Sequence, residues 1–416
     1  MWGLMDAVAA IGLEQAQAAV LAEAAPLPAV AVAPGEALGL HLAENVVATE
    51  PLQGFDNSAM DGFAVRAADV AEAGPGAATT LTVIGESRAG RPATVAVGPG
   101  EAVAISTGAM VPAGADAVVR IEDTAVVTAG VAVEAAASPG QNVRRAGEDV
   151  GAGETVLRRG DRIGAAELAV LAALGQERVG IHRRPRVSIV VSGDELVAAG
   201  APVAPGAVRD SNSPMLAALV VEAGAELQAL GHAGDSLQAT AAAIEPALEA
   251  DVVIVCGGIS VGAHDHVKGA FGQLGVESRF WRVALKPGGP TWFGCRGGTL
   301  AFGLPGNPVS AFVTFVLFVA PALAALAGAR PEARRLSAVL AAPYEKRSGR
   351  TEAIRCTLEP TDRGCWRADP RPHQGSHVLS SLLGAGCLAL LPSPARRVAA
   401  GERVEIVPLG GARVGR

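Results

Sequence analysis

Between residues 185 and 330, short runs that are aliphatic at nearly every position (187–191, 227–230, 252–255, 283–285 and 300–302) alternate with stretches of helical pattern. No other feature constrains the fold as much. A strand with one face in water alternates apolar with polar residues, whereas a strand that is apolar throughout is covered on both faces. Helices between such strands supply the cover, so the segment predicts a parallel α/β sheet. Its clearest helix is DSLQATAAAIEPALEA, 235–250, for which Asp235 reads as the N-cap. Residues 309–329 are uncharged and long enough to cross a bilayer. Pro321 within the run, its fading into alanine and the Pro-Gly-Asn-Pro turn before it favour a buried, kinked helix of a soluble domain.

At 416 residues the chain is too long for one core, and about two to four domains are expected. Residues 46–140 carry short valine-rich runs punctuated by glycine and proline (TTLTVIG, EAVAIS, AVVRIED, TAVVTAGVAVEAA), the pattern of a small β-domain. Residues 331–416 repeat that style and predict a C-terminal, barrel-like β-domain. Residues 1–45 and 141–184 form a mixed linking region, in which the strand, turn and helix of GETVLRRGDRIGAAELAVLAALG pack back on an N-terminal helix. That first helix contains Asp6 and Glu14 and lacks a basic leader, so it does not read as a signal peptide. The fold class is thus α/β multidomain: a central parallel α/β domain at 185–330 with two smaller β-rich domains.

Aromatic residues make up 3% of the chain, so aliphatic side chains must fill the cores. The net charge of -7, with no long basic run, argues against a nucleic-acid surface. An anionic substrate would need local positive charge against that field. Five cysteines without a CxxC pair fit a reducing cytoplasm. His264 and His266 flank Asp265, either as two loop histidines beside an acid or as metal ligands.

Ligands of open α/β sheets bind outside the carboxyl ends of the strands. Those ends carry SGDEL (192–196), GHAGD ending in Asp235, CGGISVGAHD (256–265), LKPGGP with Lys286, and GLPGNPVS (303–310). Asp194, Glu195, Asp235 and Asp265 therefore gather on one edge, where converging carboxylates call for a cation; oxygen ligands favour Mg²⁺. Gly257, Gly258, Ser260 and Gly262 form a loop able to offer N–H groups to phosphate. Asn307 as N-cap and Pro308 at the first helical position open an anion site at a helix N-terminus. Together these describe a phosphoryl-bearing, nucleotide-like ligand, and the absence of GxxxxGKS/T excludes a P-loop.

GFDNSAMDGFAV, STGAMVP, NVRRAGED, SGDEL, GGISVGAHD, LKPG, GLPGNPVS and HQGSH stand in the order found in the molybdopterin molybdenumtransferase family, the MoeA type that includes the gephyrin E-domain. The chain resembles that family over nearly its whole length. The resemblance implies a cytoplasmic, Mg²⁺-dependent molybdenum insertase, which turns adenylylated molybdopterin and molybdate into molybdenum cofactor and AMP. It also implies a homodimer, in which the loop containing Asp61 reaches toward the α/β domain of the other subunit. The implied partners are the molybdopterin adenylyltransferase and molybdoenzyme apoproteins, with no nucleic acid and no membrane.

By the same resemblance Asp61, Thr107, Glu195, Asp235, Asp265 and Lys286 are the catalytic set, and Glu195, Asp235 and Asp265 the metal ligands. Pro305, Gly306, Asn307, Pro308, Ser310, Arg350 and Ser376 join the glycine loop in binding substrate. Arg144, Arg145 and Asp149 read as a structural ion-pair network. Gly289 replaces the family's second loop lysine, which implies weaker oxyanion binding unless Lys268 or Arg282 fills the place. A non-catalytic scaffold of the gephyrin kind, or a pterin- or oxyanion-binding module, is the alternative.

Overall fold

The computed structural model describes residues 9–259, 266–329, 335–346, 348–362 and 364–410. The chain divides into two compact units, the first comprising Met1–Ala43, Gly160–Ile163 and Val179–Arg416, the second Glu44–Arg159 and Gly164–Arg178.

In the second unit, strands form at each of the valine-rich runs, in a six-stranded sheet. Second from one edge of it is a strand that the sequence reading took for part of a loop: Gly62–Val65, buried throughout and paired on both sides. Gly62 is required there, because a Cβ would lie 1.9 Å from the Val119 carbonyl oxygen. The polar residues before it are tied down locally. Arg145 Nη1 meets Asp56 Oδ2 at 2.5 Å, and the Ala146 N–H donates to Asp56 Oδ1 at 2.9 Å. These two bonds hold the Asp56 carboxyl below the usual carboxylate range.

The first unit contains the α/β sheet. Its strands are β1 (Arg186–Ser192), β2 (Glu226–Ala233), β3 (Val252–Cys256), β4 (Glu277–Trp281), β5 (Trp292–Arg296) and β6 (Thr299–Leu304). The order is β2-β1-β3-β6-β5-β4, with the first four parallel and β5 antiparallel to both its neighbours. The sheet is therefore mixed, not purely parallel as the sequence predicts. A Gly297-Gly298 turn sends β5 directly back into β6 and leaves no room for a crossover helix. The run at 283–285 is also reassigned: Leu285–Lys286 pairs with Thr351–Glu352, in the C-terminal domain.

Period-2 burial sorts the strands as expected. Val187, Ile189, Val191 and Ile254 enter one core, and Val190, Val253 and Val255 the other. Helix α1 (Leu13–Glu23) packs into the first core through Leu13, Ala16 and Val20. It lies against the long helix Pro308–Leu326, which is mostly buried despite its membrane-like hydropathy.

That helix meets the expected disturbance at Pro321 with a π-turn, Phe315–Val319. Pro321 has no N–H for the carbonyl four residues earlier, that of Leu317. The Gln17 side chain of α1 donates to it instead, at 2.9 Å, and Gln17 Oε1 accepts from Arg335. Gln17→Leu leaves a buried carbonyl without a donor and should cost about 1–3 kcal/mol. Thermal unfolding measures it, and an unchanged midpoint would contradict this account.

The C-terminal domain is a closed five-stranded barrel of β7 (Leu336–Leu340), β8 (Thr351–Pro360), β9 (Trp366–Pro370), β10 (Cys387–Leu391) and β11 (Arg403–Pro408). The order runs β8-β9-β7-β11-β10 and returns to β8. Closure leaves no free sheet edge in the ring.

Candidate functional site

Four adjacent strand ends build the first cleft, of about 550 Å³. From β1 comes Gly193 with Glu195, from β2 Asp235, from β3 Gly257 and Gly258, and from β6 Pro305, Gly306, Asn307 and Pro308. The Asp194 N–H donates to Asp235 Oδ2 at 3.3 Å, and the Asp235 N–H donates to Asp194 Oδ1 at 3.2 Å, so the two acidic loops lock each other. Asp235 is free for this because the N-cap of the helix Leu237–Ala247 is Ser236, not Asp235 as the sequence predicts. The Ala239 N–H donates to Ser236 Oγ at 3.2 Å. The Glu195 carboxylate folds over Gly193, where any Cβ would lie 2.7 Å from Glu195 Oε2.

Gly257, at the start of the glycine loop, is committed to packing. Gly257 has φ +98, and a Cβ there would lie 2.6 Å from the Ser192 carbonyl oxygen. Its N–H already donates to the Leu304 carbonyl at 3.0 Å. Ser260, Gly262, His264 and Asp265 lie outside the described residues. Glu195, Asp210 and Asp235 all line this cleft. Among the described residues, no three histidine, cysteine, aspartate or glutamate side chains converge as a metal site.

Sequence reasoning missed Asp210 and Asn212 in this cleft. The Asn212 Nδ2–H donates to the Gly306 carbonyl at 2.7 Å and so fixes the Pro-Gly-Asn-Pro turn. Asp210 accepts from the Ser213 N–H at 2.9 Å. The available signal was the run Arg209-Asp210-Ser211-Asn212-Ser213, dense in polar residues within an apolar chain.

A second cleft, of about 860 Å³, lies between the α/β domain and the barrel, and Pro290, Pro305 and Asn307 line both clefts. Lys286, Arg350, Arg355 and Arg371 oppose Glu345 and Glu352 in its walls, a net charge of +2 with the histidines neutral. Lys286 Nζ lies 3.6 Å from Glu352 Oε1, and Glu352 is buried. Ser310 and Ser376 contribute hydroxyls.

Asn307 stands at the N-cap position without capping the helix. Its Nδ2–H donates to Ser376 Oγ at 3.3 Å, and the Val309 N–H donates to the Ser376 carbonyl at 3.3 Å. With Pro308 lacking an N–H and that of Val309 committed, the helix start offers less to an anion than the sequence predicts. The positive charge comes from the four basic side chains instead.

Lys268 and Arg282 do not replace the missing lysine, since both stack on Trp281, at 3.3 and 4.6 Å from the ring centroid. Arg350 does. Its Nη1 would lie 2.9 Å from a Cβ at residue 289, and Gly289 has an ordinary φ. A lysine there would push against a guanidinium already in place, so Gly289→Lys should change molybdate affinity by less than about threefold. Calorimetry against Gly289→Ala checks this, and a tenfold gain for lysine alone would refute it.

In the second unit, the Thr107 N–H donates to Asp61 Oδ1 at 2.7 Å, and both residues are exposed.

A cleft lined by Glu195, Asp210 and Asp235 at the strand ends of an α/β sheet thus shares walls with a second cleft lined by Lys286, Arg350, Arg355 and Arg371. Residues 11–175 match the MoeA N-terminal region (domain I and II), 188–325 a probable molybdopterin binding domain, and 337–409 the MoeA C-terminal region (domain IV). Molybdopterin molybdenumtransferase 2 of Mycobacterium tuberculosis is 40% identical over 380 residues, covering 89% of this chain and 93% of that one. The Haemophilus influenzae molybdopterin molybdenumtransferase is 35% identical, covering 90% and 92%. The crystal structure of a molybdopterin biosynthesis MoeA protein from Pyrococcus horikoshii superposes with a TM-score of 0.84 at 31% identity, covering 97% of this chain and all of that one. The chain belongs to the molybdopterin molybdenumtransferase family, transferases of molybdenum cofactor biosynthesis.

Proposed function

We propose that this chain is a molybdenum insertase that converts adenylylated molybdopterin and molybdate to molybdenum cofactor and AMP. One observation carries the reading: the acid-lined and cation-lined clefts share Pro290, Pro305 and Asn307 as a common wall. The acidic cleft takes the pterin nucleotide and the cationic cleft the dianion. Glu195 and Asp235 would hold Mg²⁺ against the phosphoanhydride, where the ion supplies charge neutralisation at the phosphoryl oxygens. Lys286 and Arg350 bind the oxyanion by charge-assisted hydrogen bonds, and Ser310 and Ser376 orient it. Asp61 and Thr107 act from the partner subunit of a cytoplasmic homodimer. Purified protein should release AMP from adenylylated molybdopterin when molybdate and Mg²⁺ are present, and should lose this activity in EDTA. Binding of both substrates without AMP release would favour a binding module, and binding of neither a scaffold.

A further inference from the structure

Arg355, on β8, is wholly buried, lines the cationic cleft and makes no ion pair with a carboxylate among the described residues. An isolated buried guanidinium is costly unless its N–H groups are fully used. Here the Nε–H donates to Ser381 Oγ at 3.2 Å, and Nη2 donates to the carbonyls of His373 at 3.4 Å and Gly375 at 3.3 Å. The same residue's backbone is clamped by Gln374, whose Oε1 accepts from the Arg355 N–H at 2.9 Å and whose Nε2–H donates to the Arg355 carbonyl at 2.8 Å. Five bonds thus tie one residue to the segment 373–375 and its flank. The next residue, Ser376, meets Asn307 and Val309 at the start of the long helix. His373 is held at φ +63, a conformation that a non-glycine residue keeps only when its neighbours enforce it.

We propose that Arg355 is the positioning residue for oxyanion binding: its buried fork fixes the backbone of His373 and Gly375 so that Ser376 is presented to the cleft. Its burial also brings a positive charge close behind the cleft wall, where water screens it little. The same burial holds the guanidinium below its ordinary range. The inference rests on the oxyanion occupying this cleft, as proposed above.

The test is a double-mutant cycle read by calorimetry with sodium molybdate. Arg355→Lys keeps the charge but loses the fork, and should weaken molybdate binding about 10-fold, the size of one lost hydrogen bond to a charged group. Ser376→Ala should weaken it by a similar factor, and the double variant by no more than either alone, because a misplaced Ser376 has nothing further to lose. Additive losses, or unchanged affinity in Arg355→Lys, would overturn the proposal. Gln374→Ala buries no unpaired charge and serves if Arg355→Lys fails to fold. It should show the same loss and the same coupling to Ser376, and additivity there would equally overturn the assignment. Failure of the wild-type protein to bind molybdate would remove the functional reading as well, whereas binding without coupling removes only the role of Arg355.

Discussion

Asp235→Asn is expected to lower turnover about 100-fold or more while moving the thermal midpoint little. The side chain is exposed, and its acceptor bond from the Asp194 N–H to Oδ2 at 3.3 Å survives in asparagine through the amide oxygen. Stability should therefore change by less than about 0.5 kcal/mol, as for exposed substitutions in general. What is lost is the negative charge that would hold Mg²⁺ at the phosphoanhydride. The same variant tests the proposed dimer. Mixed with Asp61→Ala, it should regain one competent site in each mixed dimer, since one α/β domain and the opposite Asp61 are then both intact. Equal turnover in Asp235→Asn and wild type contradicts the catalytic role, and no recovery on mixing contradicts the shared site.

Lys286→Met should weaken molybdate binding by about 10- to 100-fold, the range of a charge-assisted hydrogen bond. It should also lower stability, through a different atom. Lys286 is about a third exposed, but its partner Glu352 is buried, with Ser348 Oγ at 2.9 Å and Tyr344 Oη at 3.4 Å as further donors. Removing the lysine takes one cation away from that buried carboxylate. Lys286→Met/Glu352→Gln separates the two effects, since the second change should restore the thermal midpoint and leave oxyanion affinity low. Recovery of affinity in the double variant would show that Lys286 acts only by neutralising Glu352.

The comparison of these two residues also explains what could be read from the chain alone. Asp235 and Glu195 were legible because a parallel sheet puts its strand ends on one edge, so a series of uniformly apolar runs already locates them. The cationic cleft was not. Lys286 was assigned to the end of an α/β strand, whereas Leu285–Lys286 pairs with Thr351–Glu352 in the barrel. A two-residue strand pairing across 66 positions leaves no periodic trace. β4, β5, β9 and Gly62–Val65 escaped for related reasons: each is short, and Gly62–Val65 adjoins polar turn residues that dominate its neighbourhood. The capping role given to Asp235 failed by one residue, because Ser236 competes for the same position and won it. Arg355 carried no signal at all, since an arginine in a strand reads as solvent-facing until the barrel closes around it.

The wall shared by the two clefts is built by Pro290, Pro305 and Asn307, and proline has little conformational freedom left to lose. A partition of this kind sets the spacing between two bound reactants by backbone geometry instead of side-chain rotation. On the proposed reading, a pterin and an oxyanion held in the two clefts would no longer need to find each other by diffusion. Their encounter would be replaced by an effective molarity written into the main chain.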